Sequence, residues 1–295
     1  MTTEFDTGGR VDRGAVAEHA RRLVDAGCAG LVPLGSLGEG ATLDWEEKIA
    51  VLETVQAAVG DRVPVVPGVA STSTGEAVRF ARAARGAGCG GLMVLPPYVY
   101  ATDWREMGAH VSAVLQATTL PVMLYNNPSA YRTDFLPEHI AELSAAHPNL
   151  EAVKESSGDV RRLTAIRALL GDRLALLVGL DDCMVEGVQA GARGWIAGLV
   201  NAFPRESVEL FRLALQAGTT GGDRTRLDAL YRWFLPLLRL DTVPKFVQLI
   251  KLAQAEVGNG SGRVRPPRLD LVGEELEAAR RLIRTALARP PLPPA

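Results

Sequence analysis

Short apolar runs alternate with longer segments of helical period along most of this chain, and few folds accept that pattern. The apolar runs are "GLVPLG" (30–35), "VPVVPGV" (63–69), "GLMVLPP" (91–97), "LPVMLYN" (120–126), "LEAVKES" (150–156), "LALLVGL" (174–180) and "GWIAGLV" (194–200). Around them lie segments such as "DRGAVAEHARRLVDAG", "DWEEKIAVLETVQAAVG", "DWREMGAHVSAVLQAT" and "DVRRLTAIRALLG", with apolar residues three and four apart and often a closing glycine. That spacing predicts amphipathic helices stopped at Gly. Strands apolar on both faces, alternating with helices, predict a parallel sheet covered by helices.

The runs number seven, where a closed (β/α)8 barrel has eight strands. The missing one belongs before the first helix, where only "MTTEF" is available, a segment short and polar for a barrel strand. The expectation is therefore an α/β fold, a (β/α)8 TIM barrel with a truncated first strand, the given start lying inside that strand. After residue 204 the strand signals stop. Residues 205–256 read as helices with a turn at "GTTGGD" (218–223), a last helix covers about 273–288, and "RPPLPPA" (289–295) is a frayed tail. The organisation expected is a barrel over 1–204 and a helical C-terminal region over 205–295 packed on it.

Composition narrows the function classes. With 47% hydrophobic and 22% charged residues in 295, the chain is globular, and a net charge of −2 offers no electrostatic case for nucleic acid or anionic membrane. No apolar run reaches the ~20 residues of a membrane span, and the start lacks a signal-peptide core. Three scattered cysteines (Cys28, Cys89, Cys183) read as reduced side chains of a cytoplasmic protein. The four histidines (His19, His110, His139, His147) show no metal-ligand spacing and read as surface or helix-end residues, so no metal is expected.

Active sites of such barrels lie at the C-terminal ends of the strands. Those ends carry Ser36, Glu39, Tyr98, Tyr125, Asn126, Lys154, Asp181 and Asn201. Lys154 is one of only four lysines. At an apolar barrel mouth, desolvation disfavours its charged form, and a neutral amine adds to a carbonyl to give a Schiff base. The competing reading is a snorkelling lysine paired with Glu155 or Asp182. Tyr125 ends the neighbouring strand, where a phenol can shuttle protons. "GSLGEG" sets glycines around a hydroxyl before a helix, a turn whose amides can cradle a carboxylate. For Glu39 a helix-start or supporting role is the expectation. Lys245 and Lys251, in "VPKFVQLIKLAQA", read as solvated or cap-region lysines.

GxxGE after the second strand, Tyr-Asn-x-Pro after the fifth, Lys-Glu after the sixth and a glycine-containing last strand resemble the dihydrodipicolinate synthase / N-acetylneuraminate lyase family over about residues 1–290. The resemblance implies a (β/α)8 barrel with a helical C-terminal region, a homotetramer, and no metal or organic cofactor. It implies Lys154 as the Schiff-base lysine to a 2-oxo acid, Tyr125 as the proton shuttle, and Ser36 with the Leu37 amide and Gly38 as the carboxylate cradle. Tyr98, Asn126, Gly179 and Ile196 complete the substrate-binding set.

Departures from the synthase pattern matter. Synthases carry two threonines where Ser36 and Leu37 stand, and a second tyrosine, serving the neighbouring subunit, where Val99 stands. They carry an arginine for the second substrate's carboxylate where Ala130, followed by Tyr131, stands. "GSLGEGATL", "YNNPSAY", "VKESSGDVRR", "WFLPLLRLDTVPKFVQLIKLA" and "RPPRLDLVGEE" look like 1-pyrroline-4-hydroxy-2-carboxylate deaminases of hydroxyproline breakdown. That narrower resemblance implies ring opening at Lys154, loss of the 4-hydroxyl, and release of 2,5-dioxopentanoate and ammonia. Aldolases or dehydratases of 2-keto-3-deoxy acids and 4-hydroxy-tetrahydrodipicolinate synthase are the alternatives. A barrel that binds a keto acid without catalysis is the reading from another class; reductive trapping at Lys154 separates it from the enzymes.

Overall fold

A computed structural model describes residues 1–97, 103–217 and 222–291. Six strands form one parallel sheet in sequence order: β1 (Gly68–Val69), β2 (Leu92–Val94), β3 (Val122–Asn126), β4 (Leu150–Glu155), β5 (Ala175–Val178) and β6 (Gly194–Trp195). Helices α1 (Arg13–Asp25), α2 (Trp45–Val59), α3 (Thr74–Gly86), α4 (Trp104–Gln116), α5 (Pro128–Tyr131), α6 (Pro137–Ala146), α7 (Arg161–Leu170) and α8 (Met184–Gln189) run before, between and after the strand segments. Four further helices, α9 (Pro204–Ala217), α10 (Arg224–Leu238), α11 (Phe246–Glu256) and α12 (Gly273–Leu287), follow. Side chains of Asp12, Asp44, Ser73 and Asp103 accept from first-turn amides of α1 to α4, so these helices start where their caps stand.

The ring is completed by two segments that are not ladder strands. The run at 30–35 pairs with 64–68 through Leu31 N–H to Pro64, Val66 N–H to Leu31 and Gly68 N–H to Pro33, yet it counts as a single bridge, Leu31 to Val65. Leu34 ends it by turning left-handed, with φ 62°. Thr2, Thr3, Glu4 and Phe5 are all buried. The Met1 amine donates to the Val32 carbonyl at 2.6 Å and Thr2 N–H to Asn201 Oδ1 at 3.0 Å. The polar opening segment thus lies between the second and the last strand segments and closes an α/β (β/α)8 barrel. Thr3 donates to the Gly38 carbonyl and Glu4 accepts from Ser261, while Thr2 Oγ1 and Glu4 Oε1 are buried without a hydrogen-bond partner.

Alternation along the strands sorts side chains into two packed regions. Leu92, Val94, Val122, Leu124 and Val153 join the core between sheet and helices. Met93, Leu95 and Tyr125, with Met123 and Tyr131 against them, fill the barrel interior. A separate core unites α8 with α9 to α12, and Leu37 and Trp195 pack against it. The C-terminal helices are therefore an extension of the barrel, and they reach its mouth.

Three expectations need correction. Lys251 is not solvated: it is fully buried in α11, with Nζ 2.8 Å from Glu39 Oε1, because Glu39 is itself buried and needs a cation. His19 and His110 are buried inside α1 and α4 rather than at the surface or a helix end, and His147, at the helix end that closes α6, is buried too; they bond Asn201, Thr74 and Ser112, and burial lowers the pKa of each. The short helix α5, right after the Tyr-Asn-x-Pro motif, was not expected; Pro128 opens it and Asn127 caps it. Residues 218–221 of the expected turn and 292–295 of the tail lie outside the described residues.

Candidate active site

Parallel pairing puts Tyr125 of β3 directly beside Lys154 of β4, and Leu177 of β5 beside Lys154 on its other flank. Residues paired across a sheet share a face. Tyr125 belongs to the barrel interior, so Lys154 does too. Its Nζ stands 4.0 Å from the Tyr125 ring centroid. Burial brings the ammonium down from 10.5 to about 8, against the pull of Asp241 and Asp181. The neutral amine is therefore far more populated near neutral pH than in an ordinary lysine, though still the minor form. Glu155 and Asn126 point to the opposite face, which rules out Glu155 as the partner of Lys154.

Tyr125 is buried, and burial raises its phenol; Asn127 Nδ2 donates to its oxygen at 3.1 Å. The turn at 35–40 is built on glycine. A Cβ at Gly38 would come within 2.9 Å of the Leu34 nitrogen, and one at Gly40 within 2.1 Å of the Leu34 oxygen. Glu39 between them is left-handed at φ 54°. Its carboxylate bonds Lys251 and the Arg265 amide, so it holds the turn rather than facing the interior. That turn presents Ser36, whose hydroxyl is hydrogen-bonded to Tyr131, while Leu37 leans on the C-terminal helices.

Gly179, just past β5, lies against the lysine: a Cβ there would come within 2.5 Å of Lys154 Cε. Ile196, just past β6, hangs from the Val178 carbonyl by its N–H. Asn126 does not join this group. Its amide donates to Glu155 and Asp134 and accepts from Phe135 N–H, so its polar atoms are used within the fold. Tyr98, with Val99, lies outside the described residues. Asn201 bonds Thr2, His19 and the Gly198 carbonyl and seals the barrel seam.

Two carboxyls are close enough to act on the lysine's charge. Asp181 accepts from Trp195 Nε1, Gly198 N–H and Leu199 N–H, and burial still raises it to about 6. Asp241, from the turn between α10 and α11, was missed in the sequence. Its carboxyl sits on Gly198, where a Cβ would come within 2.0 Å of Oδ1. Burial, and next the Asp181 charge, raise it well above the usual carboxylate range. A neutralisable amine, a phenol, a hydroxyl cradle and two perturbed carboxyls in one barrel mouth are the equipment of imine chemistry.

The Dihydrodipicolinate synthetase family model matches residues 1–286. The chain belongs to this family. Among its relatives, the 4-hydroxy-tetrahydrodipicolinate synthase of Haloarcula marismortui is 34% identical over 286 residues, 97% of this chain and 91% of that one. That of Sorangium cellulosum is 34% identical over 290 residues, 98% and 93% of the two chains. The dihydrodipicolinate synthase structure from Aquifex aeolicus superposes with a TM-score of 0.90 at 26% identity, covering 97% of this chain and 95% of that one. YagE from E. coli K12, of the dihydrodipicolinic acid synthase family and solved with pyruvate, gives 0.89 at 26%, covering 97% and 96%. A dihydrodipicolinate synthetase family member is a Schiff-base lyase, and this chain is an enzyme of that kind. No helix among the described residues is long and apolar enough to cross a membrane.

Proposed function

We propose that this lyase acts on a small 2-oxo or 2-imino acid through an imine at Lys154, and that its substrate is 1-pyrroline-4-hydroxy-2-carboxylate. The observation that carries the imine is the Lys154 amine, buried in the barrel interior over the Tyr125 ring and brought down to about 8. In this reading the Lys154 nitrogen bonds to C2 of the ring imine, and the C2–N bond of the ring breaks, leaving the amine on C5. A proton leaves C3 as the C2=C3 enamine forms, and the enamine expels the 4-hydroxyl as water. Tautomerisation moves the unsaturation to C4 and C5. Two hydrolyses follow, one freeing ammonia from C5 and one freeing the keto acid from Lys154. The balance is one water consumed, giving 2,5-dioxopentanoate and ammonia. Ser36 Oγ and the Leu37 N–H hold the carboxylate, and Tyr125 moves the protons.

The substrate choice rests on what stands at the mouth. Ala130 offers no cation for a second carboxylate, a loss of roughly 1.5–3 kcal/mol for a charged hydrogen bond, and apolar Leu37 suits a compact ring. The relatives' names favour a second reading, condensation of pyruvate with aspartate semialdehyde. Ammonia release from the pyrroline hydroxycarboxylate, with Lys154→Ala as control, tests the choice. Release that needs Lys154 supports the deaminase. Condensation without ammonia release refutes it in favour of the synthase. The family likeness also leads us to propose a homotetramer and a cytoplasmic enzyme.

A further inference from the structure

Two glycines clear the barrel mouth at adjacent strand ends, and a charged side chain lies where each would carry its own. Gly179, just past β5, makes room for Lys154: a Cβ there would come within 2.5 Å of the lysine Cε. Gly198, just past β6, makes room for Asp241: a Cβ there would come within 2.0 Å of Oδ1 and 2.5 Å of the carboxyl carbon. The Ile196 N–H bond to the Val178 carbonyl sets these two strand ends side by side. Neighbouring strands lie about 4.8 Å apart, so a short carbon chain held on Lys154 reaches from one glycine toward the other.

The second carboxyl of this wall is already used. Asp181 accepts from Trp195 Nε1 at 3.0 Å, Gly198 N–H at 2.9 Å and Leu199 N–H at 2.7 Å, and so fixes the backbone against which Asp241 rests. Arg239, in the same turn as Asp241, has its guanidinium 3.9 Å from Asp182 instead, and among the described residues no cation forms an ion pair with Asp241. Ser156 Oγ, beside the lysine stem at Gly179, is buried without a hydrogen-bond partner. A carboxyl lacking a cation and a hydroxyl lacking a partner thus flank the place where a molecule bound to Lys154 must lie.

The geometry points to Asp241 as the specificity-determining group of the mouth, one that receives an amine or hydroxyl at the far end of the substrate and turns away a second carboxylate. This inference deepens the reading above and rests on its imine at Lys154. Opening of the pyrroline ring leaves an amine on C5, the end remote from the lysine. Its ammonium meets the Asp241 carboxylate in a charge-assisted hydrogen bond. A substrate ending in a carboxylate meets like charge there. Burial and the Asp181 charge hold Asp241 toward its neutral form; an arriving cation reverses that, and an arriving anion reinforces it. Where Ala130 merely lacks a cation, Asp241 supplies the opposite sign, and it comes from the C-terminal helices rather than from the barrel.

Pyruvate in D2O is the reporter, because its methyl protons exchange through the enamine at Lys154 and proton NMR reads the rate. Two competitors read the mouth. 1-Pyrroline-2-carboxylate opens on the lysine to a five-carbon chain ending in an amine; 2-oxoglutarate is a five-carbon chain ending in a carboxylate. Both act through the same imine, so the ratio of their inhibition constants cancels any change in the lysine itself. Wild type is expected to bind the pyrroline about 10-fold or more tightly than 2-oxoglutarate. Asp241→Asn keeps the shape, removes the charge, and should shrink that preference about 10- to 100-fold, the worth of one charged hydrogen bond. Asp241→Glu should keep most of it. A wild-type ratio near one or inverted overturns the proposal, and so does a ratio unchanged in a folded Asp241→Asn; if that variant does not fold by its melting curve, the wild-type ratio decides. A wild type that does not exchange pyruvate refutes the imine, and this role with it. The expected ratios without ammonia release from the hydroxylated pyrroline support Asp241 in its role and refute the deaminase alone.

Discussion

Gly179→Ala adds one methyl group to the wall beside the lysine, and its consequences can be worked out from distances. The new Cβ would come within 1.9 Å of Ser156 Oγ, 2.5 Å of Lys154 Cε and 2.9 Å of Lys154 Cγ. Ordinary carbon contacts are about 3.5–4.0 Å, so the lysine stem must retreat by about 1 Å. The backbone at 179 cannot retreat instead, because its N–H is fixed to the Glu155 carbonyl at 2.9 Å. Displacing a reacting atom by about 1 Å costs about 100-fold in rate. Overpacking of a filled core costs about 1–3 kcal/mol, which in a domain of this size lowers the thermal midpoint by several degrees. Reductive trapping rates and a melting curve read both effects. Ser156→Ala added to Gly179→Ala removes the 1.9 Å overlap but leaves the overlap with Lys154. It should therefore restore part of the stability and little of the rate. Full-rate trapping by Gly179→Ala would show that the Lys154 side chain does not lie where the reaction needs it.

Other predictions follow from the same contacts. Imine formation should accelerate as pH rises through about 8, where burial puts the Lys154 amine, because only the neutral form attacks; a trapping rate flat from pH 6.5 to 9 contradicts that. Lys251→Ala leaves the Glu39 carboxylate buried with fewer partners, and should cost about 3–5 kcal/mol by urea unfolding. Lys251→Met with Glu39→Gln should cost less, since no full charge is then stranded. Gly40→Ala would bring a Cβ within 2.1 Å of the Leu34 carbonyl oxygen, backbone that cannot step aside, and should yield little folded protein by circular dichroism.

The barrel was legible because its two periods differ: apolar runs for strands, residues three and four apart for helices. β2 to β6 lie inside the expected runs, and the last helix closes within a residue of its expected end. Lys154 and Tyr125 were legible together because both end strands adjacent in the sequence, and parallel pairing then made them neighbours. Asp241 was not, because its place at the mouth depends on how α10 and α11 fold back, and no local pattern encodes that. Lys251 sits in a helix of ordinary appearance, and its partner Glu39 is 212 positions away. The failure at Asn126 was one of facing. A strand end alternates, and Tyr125 inside puts its neighbour outside, against Asp134 and Phe135. "MTTEF" was judged by polarity alone, while the Thr2 amide, the Thr3 hydroxyl and one Glu4 oxygen are met by Asn201, Gly38 and Ser261.

The central claim is that Lys154 is the nucleophile. Incubation with pyruvate and borohydride, followed by peptide mass mapping, tests it most directly. The account predicts one reduced adduct, located on the peptide carrying Lys154 and absent from Lys154→Ala. An unmodified protein, or an adduct on Lys48, Lys245 or Lys251 instead, would contradict it.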